Sequence, residues 1–140
     1  MSVGSLERFV RAQEGVYARA LAELARGRKE SHWMWFIFPQ IAGLGRSETA
    51  RFYAIADRAE ARAYLAHPVL GARLIEATEV VTAVPGRSAE AIMGSVDAMK
   101  LRSSMTLFEA AADDPAPFRA ALDRFFGGKR DPETLARLRA

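Results

Sequence analysis

Helix punctuation recurs at short intervals along this chain, and it constrains the fold more than any other feature. Ser5, Ser47, Asp57, Ser88, Ser95, Asp114 and Asp131 each precede an apolar run, where a side-chain oxygen can accept from the free amides of a helix's first turn. Gly27, Pro85-Gly86 and Gly127-Gly128 stand where such runs end, and His67-Pro68 breaks another because the residue before proline is pushed out of the α region. Between these marks the apolar residues recur with helical period. Leu6, Phe9 and Val10 form one stripe, and Tyr17, Leu21 and Leu24 a second. Leu70, Leu74, Ala77 and Val81 form a third, and Leu101, Met105, Phe108 and Ala112 a fourth. Asp131-Pro132-Glu133 opens a short terminal helix. Strict alternation of useful length is absent, apart from an ambiguous stretch at 32–38. The pattern predicts one all-α domain over residues 1–140, built of about seven or eight short helices, with no internal repeat and no linker long enough to divide it.

A chain of 140 residues buries roughly two thirds of its unfolded surface, enough for a core without staples. Half of the residues are apolar and 26% are charged, which excludes intrinsic disorder. With no cysteine there is no thiol nucleophile, redox pair or thiolate metal site. No apolar run is long enough to span a bilayer, and Met1 to Arg8 carries no secretory apolar region, so the cytoplasm is the expected location. Net charge is only +3 although the pI is about 9.7, because the basic residues are nearly all arginine. Arginine and glutamate are interleaved rather than gathered into a basic stripe, which argues against nucleic-acid binding.

The first chemically unusual segment is Ser31-His32-Trp33-Met34-Trp35-Phe36-Ile37-Phe38-Pro39-Gln40, which holds both tryptophans. As a helix it would set His32, Trp35, Phe36 and Pro39 on one face and Trp33, Ile37 and Gln40 on another; as a strand, Trp33, Trp35 and Ile37 would oppose the rest. Either way both faces are large and apolar, so the segment should run through the core. Phe36, Ile37 and Phe38 read as core mass. His32, Trp33, Trp35 and Gln40 carry polar atoms that need partners when buried, and they read as candidate pocket residues.

The second is Asp97-Ala98-Met99-Lys100-Leu101-Arg102-Ser103-Ser104-Met105-Thr106-Leu107-Phe108. On a helix Asp97 and Lys100 are an i,i+3 pair, and Lys100, Arg102, Ser103 and Ser104 could form an anion-binding edge. Ser104 falls on the apolar stripe, where a bond back to the carbonyl one turn earlier is the structural alternative. Gly43-Leu44-Gly45-Arg46 reads as a loop and lacks the third glycine and the strand of a dinucleotide fingerprint. The two histidines are far apart with no supporting carboxylate spacing, so no metal is expected, and no cofactor motif is present. Glu14, Glu23, Glu76, Glu79 and Glu109 are scattered, and none stands out as a catalytic pair.

Gly27-Arg28-Lys29, the run Ser31 to Gln40, Gly43-Leu44-Gly45, the run Tyr64 to Gly71 with Arg73-Leu74, and the run Asp97 to Phe108 together resemble an uncharacterised bacterial family, domain of unknown function family 1810. The resemblance extends from about Leu6 to about Phe126. It implies a multihelical all-α fold and no established activity, and it supplies no catalytic residues. The family is sometimes labelled calpastatin, but inhibitors of that type are disordered and repetitive, whereas this chain is apolar and unrepeated.

Two functions follow as expectations, and neither settles whether the chain is an enzyme. One is a pocket for a small anionic or nucleotide-like ligand, with His32, Trp33, Trp35 and Gln40 as a stacking wall and Lys100, Arg102, Ser103 and Ser104 as the anion edge. The alternative is a non-catalytic module that grips a protein partner through exposed aromatic and arginine side chains. The first requires residues 32–40 and 97–108 to meet in space.

Overall fold

A computed structural model describes the backbone of residues 2–139 and the side chains of residues 6–139. Among these the chain forms α1 (Ser2–Gln13), α2 (Tyr17–Ala25), α3 (Met34–Ile37), α4 (Glu48–Phe52), α5 (Arg58–Ala66), α6 (Leu70–Thr82), α7 (Ala89–Met93), α8 (Ser95–Ala111), α9 (Ala116–Phe126) and α10 (Pro132–Arg139). The count exceeds seven or eight because α3, α4 and α7 are single turns of four or five residues; Ser47 and Ser88 mark the starts of α4 and α7, whereas α3 has neither a side-chain cap nor the length for a stripe. The described residues contain no strand, only one parallel bridge between Ile41 and Ile55. No helix among them is long and apolar enough to cross a membrane.

The caps explain most helix starts. Ser47 Oγ accepts from the Ala50 amide at 3.1 Å, Ser88 Oγ from Ala91 at 3.0 Å and Asp57 Oδ1 from Glu60 at 2.9 Å. His67 does more than break a helix: its Nδ1 accepts from the amides of Val69 and Leu70 at 3.1 and 3.2 Å, capping α6. Two expected caps differ. Ser5 lies inside α1, with its side chain outside the described set, and Ser95 is the first residue of α8, preceded by Gly94 rather than itself flanking the helix.

Helix α8 is the central element, packed by α5, α7, α9 and α10, while α6 lies against α2, α5 and α9. The expected stripes face inward: Leu70, Leu74, Ala77 and Val81 on α6 are buried, as are Leu101, Met105 and Phe108 on α8. A file of rings crosses the core, Phe9 to Tyr64 at 5.1 Å, Tyr64 to Phe108 at 5.4 Å and Phe108 to Phe118 at 5.9 Å. Gly71 lets α6 approach the end of α5 closely, since a Cβ there would stand 2.1 Å from the Leu65 carbonyl oxygen.

Buried Gln13 joins four elements. Its Nε2 donates to the Phe36 carbonyl at 2.8 Å and to the Tyr64 hydroxyl at 3.2 Å, and its Oε1 accepts from Arg73 at 3.2 Å. The aromatic turn α3 is thereby tied to α1, α5 and α6.

Candidate functional site

The segment between α2 and α3 is neither a full helix nor a strand. It leaves Gly27, bends at Ser31 and His32, and makes one turn over Met34–Ile37. Two buried charges hold it. Glu23, on the inner face of α2 beside Ala20 and Leu24, accepts from the Glu30 amide at 2.8 Å, the Ser31 amide at 3.0 Å, Ser31 Oγ at 2.5 Å and Trp33 Nε1 at 2.9 Å. Burial alone would raise the Glu23 pKa, but the four donors outweigh it and lower the value to about 2. Lys29 turns inward, its side chain only 7% exposed. Its Nζ donates to the Ser31 carbonyl at 2.7 Å, pairs with Asp97 Oδ2 at 2.9 Å and lies 4.8 Å from the centre of the Trp33 ring. Its backbone amide donates to the Ile92 carbonyl at 2.8 Å, fixing the loop to the end of α7.

These contacts bring the two sequence segments together. Asp97, in the first turn of α8, is shared: its second oxygen lies 3.8 Å from Lys100 Nζ. Lys100 in turn lies 4.9 Å from the centre of the Trp35 ring. The order Trp33, Lys29, Asp97, Lys100, Trp35 therefore runs from ring to ring through three charges of alternating sign, across the join between the aromatic turn and α8. Asp97 is shared between two ammonium groups, and Lys100, a quarter exposed, presents one of them to solvent.

The remaining candidates are distributed differently. Trp33 is fully buried in the core with its indole N–H bonded to Glu23, while Trp35 is half-buried. Gln40 is half-buried and lines a narrow crevice with Trp35, Gly45 and Tyr53, and its carbonyl accepts from the Ile55 amide at 2.9 Å. His32 is exposed on the bend.

Arg102 and Ser103 face the chain's own C-terminal segment. Arg102 donates to the Lys129 and Arg130 carbonyls, both at 2.8 Å, and the Ser103 hydroxyl lies 3.1 Å from Asp131 Oδ2. Two residues of the expected anion edge are thus engaged within the chain, Arg102 by backbone carbonyls and Ser103 by Asp131, which also caps α10 by accepting from the Thr134 amide and hydroxyl at 3.1 and 2.6 Å. Ser104 is buried, and its hydroxyl has no hydrogen-bond partner among the described residues. The expected back-bond falls on its neighbours: Ser103 Oγ lies 3.2 Å from the Met99 carbonyl, and Thr106 Oγ1 donates to Arg102 at 2.8 Å.

Gly43, at φ +99°, lies under the Arg137 guanidinium, and a Cβ there would stand 2.3 Å from Nη1. The loop Gly43-Leu44-Gly45 therefore supports α10.

On its other flank the aromatic turn meets α4 across an open cleft of about 510 Å³, lined by Trp35, Phe36, Glu48, Thr49, Phe52 and Tyr53. Phe36 and Tyr53 stand 5.3 Å apart, and Phe52 meets Tyr53 edge to face at 4.8 Å. Expected as core mass, Phe36 is only half-buried because it forms this wall, whereas Ile37 and Phe38 are buried. A second groove of about 470 Å³ lies between α5, α6, the end of α8 and α9, and none of the expected residues lines it.

Three residues of the cluster, Glu23, Lys29 and Asp97, were not among the expected site residues, although Asp97 was read as an i,i+3 partner of Lys100. Glu23 had a legible signal, a carboxylate on the Ala20–Leu24 face of a helix. Phe52-Tyr53 had another, since adjacent aromatics on one helix cannot both face the core. Lys29 had none, because its partner lies far along the chain.

Comparison with solved structures finds a conserved hypothetical protein, Rv1873, from Mycobacterium tuberculosis, 50% identical, with a TM-score of 0.95 over 96% of each chain. No curated protein matches. Residues 4–138 match a family model described as a protein of unknown function, DUF1810, so the match runs past Phe126 and takes in α10. The chain belongs to this DUF1810 family of proteins of unknown function.

Proposed function

We propose that the edge formed by Trp35, Lys100 and Gln40, with exposed His32 three residues before Trp35 in the chain, binds a small anionic, nucleotide-like ligand, and that it does so in the cytoplasm, a setting the cysteine-free composition fits. The observation that carries this reading is the Lys100 ammonium 4.9 Å from the Trp35 ring centre, with only a shared carboxylate at 3.8 Å to balance it. A planar ring can stack on the indole while Lys100 pairs with the anion. Trp33, Arg102, Ser103 and Ser104 drop out of the proposed contacts, because their polar groups are buried or engaged within the chain. No reaction is assigned to the site.

The test is a thermal-shift series with nucleoside monophosphates, the parent nucleosides and inorganic phosphate. A ligand at a hundred times its Kd stabilises the fold by about 2.7 kcal/mol, which is readily seen. Lys100→Ala should abolish the response to monophosphates while its own melting temperature stays near that of the parent. Equal responses from the parent protein and the variant would remove Lys100 from the site.

A second reading, a protein-interaction surface, draws on Val96 and Met99, which are 66% and 71% exposed and lie three residues apart on α8. It expects a Val96→Ser, Met99→Ser double variant to lose a partner while ligand responses persist.

A further inference from the structure

The cleft on the α4 side of the aromatic turn has a chemistry opposite to the Lys100 edge. Its walls are ring surfaces: Trp35 and Phe36 from α3, Phe52 at the end of α4 and Tyr53 just after it. Phe52 is 58% exposed, a large apolar side chain that contributes little to the core. Its position is nevertheless well held, because Arg8 donates to the carbonyls of Phe52 and Ala54 at 2.7 and 2.8 Å and pins the end of the turn. Glu48 and Phe52 are four residues apart and project from the same side of α4. Among the described residues Glu48 has no ion-pair or hydrogen-bond partner, so an uncompensated carboxylate stands at the mouth of an aromatic cleft.

Ring faces carry negative potential, and several of them beside a carboxylate attract an organic cation whose methyl groups pack where a hydrated metal ion could not. The same segment already uses this attraction internally, with Lys29 over Trp33 and Lys100 over Trp35. The geometry points to a binding site for a small quaternary or fully methylated ammonium compound, seated between Phe52, Tyr53 and Phe36 with Glu48 as its counter-charge. The occupant is a free compound rather than a methylated lysine in a basic protein tail. The chain has net charge +3, and Lys100 stands at Trp35, so a carrier rich in further cations is repelled. This site shares Trp35 with the anion reading but takes its counter-charge from Glu48 on α4 rather than from Lys100.

The test follows the two indole N–H resonances of the isotopically labelled full chain during titration with choline and with tetramethylammonium. Sodium chloride and 3,3-dimethyl-1-butanol, the uncharged carbon analogue of choline, serve as controls. Trp35 should shift saturably with both ammonium compounds and not with the controls, while the Trp33 resonance, buried against Glu23, stays fixed and reports an intact fold. Phe52→Ala should weaken binding about tenfold, within the range expected for loss of one partly desolvated cation–ring contact. Glu48→Gln should weaken it several-fold. Both positions are exposed, so both variants should keep the parent Trp33 resonance. Equal shifts with the uncharged analogue would reduce the cleft to an apolar surface and overturn the proposal, as would the absence of saturation. Binding of a trimethyl-lysine peptide without binding of either free compound would overturn the choice of occupant.

Discussion

Glu23 makes the sharpest demand of any single residue. A buried carboxylate with four donors is stabilised as the anion, so its pKa falls to about 2 from an ordinary value near 4.5. A depressed folded-state pKa adds stability that is present above the unfolded pKa and lost as pH falls through the folded one. The parent protein should therefore lose stability between about pH 4.5 and pH 2, on the order of 2–3 kcal/mol from this residue. Glu23→Gln turns amide hydrogens toward donors, so it should cost a similar amount at pH 7 and flatten the acid limb. Urea denaturation of both proteins across this pH range measures it. Parallel acid limbs in the two proteins would mean that Glu23 is not the titrating group. The same residue shows what a sequence can disclose at this scale. A carboxylate on the face of Ala20 and Leu24 announces that it must be satisfied, but not that Ser31 and Trp33 satisfy it. The donors lie across a bend whose backbone no periodicity predicts.

At the scale of elements, long stripes and caps were legible because they are local. The α6 stripe, the Ser47, Asp57 and Ser88 caps and the Asp131 start all depend on residues within one or two turns of each other. What α8 does with its polar residues was not legible. Arg102 and Ser103 read as part of an anion edge, yet with Thr106 they hold the start of α10: Arg102 donates to the Lys129 and Arg130 carbonyls, Ser103 meets the Asp131 carboxylate, and Thr106 accepts from the Asp131 amide. Arg130 adds a second anchor: its hydrogen bond to Glu109, helped by Arg119, outweighs burial and holds that carboxyl below its usual range. If Asp131 is the main tether, Asp131→Ala removes both the α10 cap and the Ser103 contact. It should cost about 1–2 kcal/mol for the cap and its linked bond. Amide exchange should quicken through 132–139 and stay slow in the middle of α8. Uniform acceleration across both helices would show that α10 does not open separately. Gly43→Ala probes the far end of the same helix, where a side chain would collide with Arg137.

Across the whole molecule the all-α architecture followed from stripes that each need a partner face, whereas the site depends on which stripes meet. Nothing in the spacing of Lys29 and Asp97 indicates that they pair, and that pairing sets Lys100 against Trp35. The two tryptophans, two residues apart, thereby acquire different environments, and this yields a test of the assembled fold. Trp33 is enclosed by the common core, and Trp35 is half-open beside Lys100 and the α4 cleft. Acrylamide should quench the parent emission in two components, one accessible and one resistant. Trp35→Phe should leave only the resistant component, because Phe retains an aromatic wall and Trp33 is untouched. In rising urea that residual indole should become quenchable in the same transition in which helical circular dichroism is lost, since Trp33 packs in the same cluster as Leu24, Leu101 and Phe108. Ready quenching of the Trp35→Phe variant in the absence of urea would show that the 29–33 bend opens on its own. The Lys29 and Glu23 contacts would then not suffice to close it.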